Sequence, residues 1–426
     1  MAIKFIDLFS GLGGFHQAVT RYGVENEIEV HCLFASEKDK LVAAVYERTY
    51  EINSLFDITE QGTHDAIDES ILDAGGLDFV FAGFPCQPFS HAGHQNGFDD
   101  IESGNLFFQI RDIVERNQPT AILLENVRNL MTHDDSNTWA RIRQELEELE
   151  YQVDVVVMSP NSIPGDNIIP AIRDRAFIMC YRNDVEVDVN RFFNNEIQAK
   201  YDSSIYNENQ QLKQEYFIAN AEDYEEALLS EEKQQVLLVW QDFKERIEAT
   251  GHRLISPLWP HYFDANIDIS DEPGWKQKII NRNRLFYENN YVVYNEWYFQ
   301  HQEFLDGLNQ SLKKFEWNAG NDIDTVWQGI VQFRPSGVRV KRPNTLPTFV
   351  AINQTPILAM QNRFILPEEM ARLYGFEGLD FGNQSLSQTY KQLGNTVSVD
   401  VVKYLIEHMF DISNLNDLID EGAEND

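Results

Sequence analysis

The chain has 426 residues, 43% of them hydrophobic and 24% charged, with 69 Asp and Glu against 34 Lys and Arg for a formal net charge of −35. This length and apolar content suffice for a sizeable core and point to one large domain plus a smaller one. The three cysteines, Cys32, Cys86 and Cys180, exclude a disulfide scaffold, no apolar run reaches membrane-spanning length, and the mean charge argues against nucleic-acid binding over the surface as a whole. A soluble, cytoplasmic protein in a reducing compartment is the expectation.

In chain order, apolar runs of strand length alternate with amphipathic helical patterns. "IKFIDLF" is followed by "GGFHQAVTRYG", "VHCLFASE" by "KLVAAVYERTY", and "LDFVFAG" by a long polar loop and "NLFFQIRDIVERN". The series continues with "AILLENV", "NTWARIRQELEELEY", "YQVDVVVMS" and "RAFIMCYR". Such alternation predicts an α/β fold, a doubly wound parallel sheet with helices on both faces and ligands beyond the carboxyl ends of the strands. After about Asp184 the rhythm breaks into Asn-, Gln- and aromatic-rich text with one strong helical stretch, "EEALLSEEKQQVLLVWQDFKERIEATG". The expected division is therefore a first part at 1–184, a separate recognition or insertion domain at 185–355, and 356–426 returning to the first domain through "SVDVVKYLIEHMF".

Chemistry-bearing residues fall at the strand ends. The first strand runs into "DLFSGLGGF", Asp7 to Phe15, whose glycines let backbone amides approach a ligand at a helix amino terminus. The spacing GxGG fits a compact adenosine ligand better than a pyrophosphate-bearing dinucleotide. Glu37 ends the second strand, where a nucleotide site needs a carboxylate for ribose hydroxyls, and Asp57 comes next in "LFDITE". The third strand leads into "GFPCQPFS", which holds the Cys86 thiol between two prolines that keep the segment from continuing as helix. Glu125 closes an otherwise apolar strand, a costly position for a carboxylate without a partner or a task. In "AIRDRAF" the two arginines Arg173 and Arg175 lie two apart entering a strand, hence on one face, and suit a carboxylate or phosphate. Two stretches are basic and free of acid: "FRPSGVRVKR", with Arg334, Arg339, Lys341 and Arg342, and "GWKQKIINRNRLFY", with Lys276, Lys278, Arg282 and Arg284.

The ordered set "DLFSGLGGF", "ASEKD", "FDI", "GFPCQPFS", "LLENV", "IRDRAF", "RFILPEE" and "YKQLGNTV" resembles the DNA cytosine-5 methyltransferase family of bacterial restriction-modification type. The resemblance implies a Rossmann-like S-adenosylmethionine-dependent methyltransferase fold with a smaller target-recognition domain. It implies Cys86 as the nucleophile that adds to carbon 6 of a flipped cytosine, Glu125 as the acid at ring nitrogen 3, and Arg175, with Arg173 behind it, at the base carbonyl. The donor S-adenosyl-L-methionine, leaving as S-adenosyl-L-homocysteine, would be held by Asp7, Phe9, Gly11, Gly13, Gly14 and Phe15, by Glu37 at the ribose and by Asp57 with Ile58 at the adenine edge. Gly83, Pro85, Leu106, Asn395 and Thr396 would complete that site, with no metal. Gln87, Ser90 and the arginine- and lysine-bearing segment from Arg334 to Arg342 would meet double-stranded DNA. A monomer acting beside a cognate restriction endonuclease is implied. Ala171 and Lys38 stand where the family usually carries Gln and an aromatic. Other classes fit less well: an RNA-directed relative keeps a shorter recognition region, a binding module without turnover has no need of Cys86, Glu125 and Arg175 together, and a Rossmann oxidoreductase needs pyrophosphate room.

Overall fold

A computed structural model describes residues 2–85, 104–165, 168–201, 204–207, 209, 211–217, 225–350 and 354–423. Cys86, Gln87 and Ser90 lie outside the described residues. The chain forms two compact units, Met1–Ser203 with Met370–Asp426, and Ser204–Glu369. Residues 185–203 thus stay with the first unit, and 356–369 with the second.

The first unit begins with β1 (Ala2–Leu8), α1 (Gly14–Asn26), β2 (Glu29–Ser36), α2 (Lys40–Tyr50), α3 (Gln61–Asp73), β3 (Phe79–Gly83), α4 (Gly104–Asn117), β4 (Ala121–Val127), α5 (Asn137–Glu148), β5 (Tyr151–Met158) and β6 (Arg175–Arg182). The strands make one sheet in the order β2-β1-β3-β4-β6-β5. Its central strands are buried on both faces, as their nearly unbroken apolar text requires: Phe79 to Ala82 and Ala121 to Leu124 are sealed from solvent. Asp39 starts α2 by accepting hydrogen bonds from the Leu41 and Val42 amides at 2.9 and 3.4 Å.

The sheet is mixed, which corrects the expectation of a parallel one. Strands β1 to β4 are parallel, whereas β6 pairs antiparallel with both β4 and β5. Apolar periodicity reports burial and not direction, so "RAFIMCYR" reads the same either way. The reversal places the amino end of β6, Arg175, at the rim where β4 ends, opposite Val127.

The second unit holds α6 (Glu231–Ala249), α7 (Gly274–Asn289), α8 (Tyr291–Gly307), β7 (Phe315–Asn318), β8 (Ile330–Arg334), β9 (Gly337–Lys341), β10 (Ile357–Leu358) and β11 (Arg363–Phe364), with sheet order β11-β10-β8-β9-β7. Its core is aromatic: Trp240 stacks on Phe315 at 4.9 Å between ring centroids, and Trp297 packs on Phe243 at 4.6 Å. The Ser230 hydroxyl caps α6 by accepting from the Lys233 amide. The chain returns through α9 (Pro367–Leu373) to α10 (Leu386–Asn395), α11 (Val399–Asp411) and α12 (Leu415–Ala423). The return helix α11 packs on α1: Tyr22 of α1 stacks on Phe410 of α11 at 4.9 Å, and Arg21 pairs with Asp400 at 3.0 Å. No helix among the described residues is long and apolar enough to cross a membrane.

At the end of the second unit, Arg363 and Glu369 form a bidentate ion pair of 2.8 and 2.7 Å with side chains 1% and 0% exposed. The Leu366 amide gives Glu369 a third hydrogen bond. Removing one member strands a buried charge, which costs about 3–5 kcal/mol. Glu369→Ala is therefore expected to lower the unfolding free energy of this unit by about that much in urea titration, and Arg363→Met with Glu369→Leu to recover most of it.

Candidate active site

The order β2-β1-β3-β4 reverses direction of progression at β1, so the crevice of such a sheet opens between the carboxyl ends of β1 and β3. The turn after β1 is built for close approach. Phe9, Gly11 and Gly13 hold φ of 54°, 55° and 78°, the left-handed region. A Cβ at Gly13 would lie 2.3 Å from the Tyr50 ring, and one at Gly14 would lie 2.4 Å from Val397 Cγ1, so neither position admits a side chain without displacement. The second contact brings the Asn395–Val397 stretch to the turn; Asn395 is exposed and Thr396 buried. The Leu12, Gly14 and Phe15 amides have no hydrogen-bond partner among the described residues, as expected of the first turn of α1.

Glu37 grips this turn from the end of β2. One of its carboxylate oxygens accepts from the Gly11 amide at 3.2 Å and the other from the Asp39 amide at 2.7 Å. Burial pushes the carboxyl above its ordinary range, against the lowering by those amides. Asp57 stands near: partial burial would raise its pKa, but the Thr59 amide and hydroxyl, with Lys38, hold it below the ordinary carboxylate range. Lys38, which stands where the family usually has an aromatic, pairs with Asp57 at 2.9 Å. Ile58 is buried. Phe15 is buried and stacks on Phe81 of β3, ring planes 15° apart. Leu106 is half-buried against the core of this unit.

Asp7 differs from these. Its side chain is 0% exposed and faces the Tyr46 hydroxyl at 3.5 Å, and burial lifts its pKa well above the ordinary range despite the His16 backbone amide. It supports the turn from beneath, away from the rim.

Beside the crevice, the third and fourth strands end in register, Gly83 opposite Glu125. The Glu125 carboxylate lies 3.6 Å, and the Phe15 ring 3.7 Å, from where a Gly83 Cβ would be. Arg175 donates from Nε to Glu125 at 2.7 Å, with both side chains largely buried, 16% and 13% exposed. The two lie diagonally on one face of the β4–β6 pair, and only an antiparallel β6 puts them there. Arg173 is buried one step back, where its guanidinium donates to the Gly394 carbonyl at 3.1 Å and lies 5.4 Å from the Tyr374 ring centre. Burial, with Arg175 beside it, depresses its pKa.

Pro85 is exposed at the last described position before Cys86. A residue that sequence reading passed over fixes this approach. Asn126 is 1% exposed and donates from Nδ2 to the Phe84 carbonyl at 3.3 Å, tying the end of β4 to the backbone that leads to the thiol. The signal was available, since an amide inside an apolar strand is costly unless bonded.

The cations of the acid-free segment are not free in space. Arg334 and Arg339, on the β8–β9 hairpin, both reach Glu316 of β7, at 3.5 and 2.7 Å, and Arg342 pairs with Asp322 at 2.8 Å. Lys341 also has partners of its own. In the second basic stretch Lys276 pairs with Glu272, while Arg282 and Arg284 donate to backbone carbonyls.

Among known families, residues 3–411 match that described as C-5 cytosine-specific DNA methylase. The chain is 30% identical to the Type II methyltransferase M.AluI of Cellulosimicrobium cellulans, over 95% of this chain and 92% of that one. It is 29% identical to the Type II methyltransferase M.BanI of Aneurinibacillus aneurinilyticus over 98% of each. With the Type II methyltransferase M.HhaI of Haemophilus parahaemolyticus it shares 37% identity over 43% of this chain and 51% of that one. Among solved structures, the Entamoeba histolytica methyltransferase EhMeth superposes with a TM-score of 0.55 at 15% identity, covering 96% of this chain and 98% of its own. That likeness carries the fold, a Rossmann-like methyltransferase sheet with a second unit. The match of the family along nearly the whole chain, on a rim that pairs Glu125 with Arg175, makes the protein a member of the C-5 cytosine-specific DNA methylase family.

Proposed function

We propose that the protein transfers a methyl group from S-adenosyl-L-methionine to carbon 5 of a cytosine flipped out of a specific duplex DNA sequence, through a covalent adduct with Cys86. The observation that carries this reading is the Glu125–Arg175 pair of 2.7 Å beside Gly83, two residues short of Pro85 and the thiol next to it. A carboxyl and a guanidinium presented together match one edge of cytosine, the ring nitrogen 3 and the adjacent carbonyl.

Carbon 5 of cytosine is a weak nucleophile until a thiolate adds at carbon 6. Glu125 holds a proton at ring nitrogen 3 as the Cys86–carbon 6 bond forms, so that the ring's electron pair is delivered at carbon 5. Arg175 orients the Glu125 carboxyl and donates to the base carbonyl, and Arg173 stands behind it as a positioning residue. Carbon 5 then takes the methyl from the sulfonium; loss of the carbon-5 proton to a base re-forms the carbon 5–carbon 6 double bond and expels the thiolate, and the proton on ring nitrogen 3 returns to Glu125. The donor supplies an electrophilic methyl on a sulfonium and leaves as S-adenosyl-L-homocysteine.

The residues present fit that donor. The unpartnered amides at the head of α1 and the close glycine turn leave room for a ligand's polar end, and Glu37, which braces that turn, would take the ribose hydroxyls. Phe15, Asp57, Ile58, Leu106, Asn395 and Thr396 would enclose the adenosine, and Phe9, Gly11, Gly13, Gly14, Gly83 and Pro85 shape the backbone around it. Asp7 acts on the site through the turn. No metal has a part in this chemistry.

Target reading is assigned to 185–355, whose core is the second unit, with Gln87 and Ser90 near the flipped base. The reading includes a cognate restriction endonuclease as partner, in keeping with the Type II methyltransferase names of the relatives, and a chain that works as a cytoplasmic monomer. Duplex DNA is favoured over RNA by the roughly 150 residues given to recognition, about the length of a small domain.

Cys86→Ala should abolish methyl transfer while S-adenosyl-L-homocysteine still binds in calorimetry, because the donor residues do not use the thiol; loss of binding as well would mark the cysteine as structural. Glu125→Gln keeps the shape without the proton and should lower single-turnover methylation by about 10²–10⁴-fold. For the β8–β9 hairpin, Arg339→Ala should weaken binding to all duplexes and reduce the log-log salt slope by roughly 0.9 if one phosphate contact is lost. Because Glu316 competes for the same guanidinium, Glu316→Gln should shift affinity the other way; an unchanged slope in both variants would remove this hairpin from the DNA face.

A further inference from the structure

Beneath the glycine turn lies a polar stack, buried at Asp7 and Tyr46 and half-buried at His16, Cys32 and Tyr50, that the reaction does not use. The Tyr50 ring, at the end of α2, stacks on His16 at 4.3 Å with planes 15° apart. His16 Nδ1 lies 2.7 Å from the Tyr46 hydroxyl, which in turn faces Asp7 at 3.5 Å and the Cys32 thiol at 3.9 Å. Burial holds His16 neutral, its pKa lowered to about 4, and pushes those of Asp7 and Tyr46 up. Its upper end is the Tyr50 hydroxyl, which donates to the carbonyls of Leu12 and Gly13, both at 3.1 Å.

Those two carbonyls belong to the peptides whose amides are Gly13 and Gly14. In a trans peptide the C=O and N–H point in opposite directions. Holding both carbonyls toward Tyr50 therefore turns both amides away from it. The Gly13 amide closes the turn onto the Ser10 carbonyl at 2.8 Å, and the Gly14 amide is left open at the head of α1. The Leu12 carbonyl accepts no backbone amide among the described residues, so Tyr50 is the donor that satisfies it. The contact is tight enough to exclude a side chain at Gly13.

We propose that Tyr50 is a positioning residue for the methyl donor: its hydroxyl, braced on His16, fixes the Leu12–Gly13–Gly14 peptides so that the open amides at the head of α1 are presented to the bound donor. The inference rests on the reading of this turn as the donor site.

Tyr50→Phe keeps the ring, its stacking and its contact with Gly13, and deletes only the hydroxyl. Calorimetry with S-adenosyl-L-homocysteine should show affinity reduced about 5- to 30-fold, with KM for the donor raised and kcat within twofold. Hydrogen exchange of the free protein should quicken at the Gly11–Phe15 amides and stay unchanged in the sheet, a change that general loss of stability would spread over the unit. Glu37→Ala is measured in parallel. If Glu37→Ala loses donor binding and Tyr50→Phe binds as the wild type, the proposal is wrong and the donor site stands. If both bind normally, the reading of the turn as the donor site fails and takes the proposal with it. Should Tyr50→Phe not fold, His16→Leu removes the brace instead, and an affinity within twofold of the wild type would equally overturn the proposal; a 3- to 10-fold loss is expected.

Discussion

The direction of one strand governs the chemistry of this protein. Four parallel strands bring backbone turns to a common rim, but each contributes only the residues beyond its carboxyl end. An antiparallel β6 adds the beginning of a strand to the same rim, and the first residue it delivers is Arg175, within 2.7 Å of Glu125. Two ionisable groups that are largely withdrawn from water need each other's charge, and the sheet's hydrogen bonds hold both backbones while they meet. Asn126, one residue beyond Glu125 on the opposite face, uses the same rigidity to hold the Phe84 carbonyl. Thus a single strand end presents the Glu125 carboxylate and steadies the backbone that leads to Cys86.

The turn after β1 obeys a different logic, in which backbone geometry matters more than charge. Three left-handed residues in five, two glycines with no space for a Cβ, and a carboxylate from the next strand make a turn that is held from both sides. Left-handed backbone costs a non-glycine residue of the order of 1–3 kcal/mol, and Phe9 bears such a cost at a place where the surrounding contacts enforce it.

Much of this was legible in the amino-acid sequence. Nearly continuous apolar runs mark strands buried on both faces, and the residues that interrupt them, Glu37 and Glu125, stand at their ends because only there can a carboxylate find amides or a cation. What the sequence concealed were relations across strands. It did not state that β6 is reversed, since apolar runs have no polarity. The acid-free stretch from Phe333 to Arg342 read as a basic surface, yet Glu316, far enough back in the chain to escape a local window, lies on the neighbouring strand and takes two of its arginines. Asp7 carried the family's motif but not its exposure: alternation along β1 turns its side chain into the helical layer. Tyr50 gave no signal at all, being one of two tyrosines on an amphipathic helix.

The return of the chain to its first unit has a temporal consequence. Arg21 and Asp400, which join α1 to α11, are 379 residues apart, and the wall that Val397 gives to Gly14 is slightly more remote. At the usual pace of synthesis, 5–20 residues per second, roughly 20–80 s separate the emergence of the glycine turn from that of the residues packing on it. During that interval the second unit is made in full, while the sheet that precedes it waits without its last helices. A ribosome therefore completes the second unit before the first, and the turn after β1 gains its Val397 wall only when nearly all of the chain has left the tunnel.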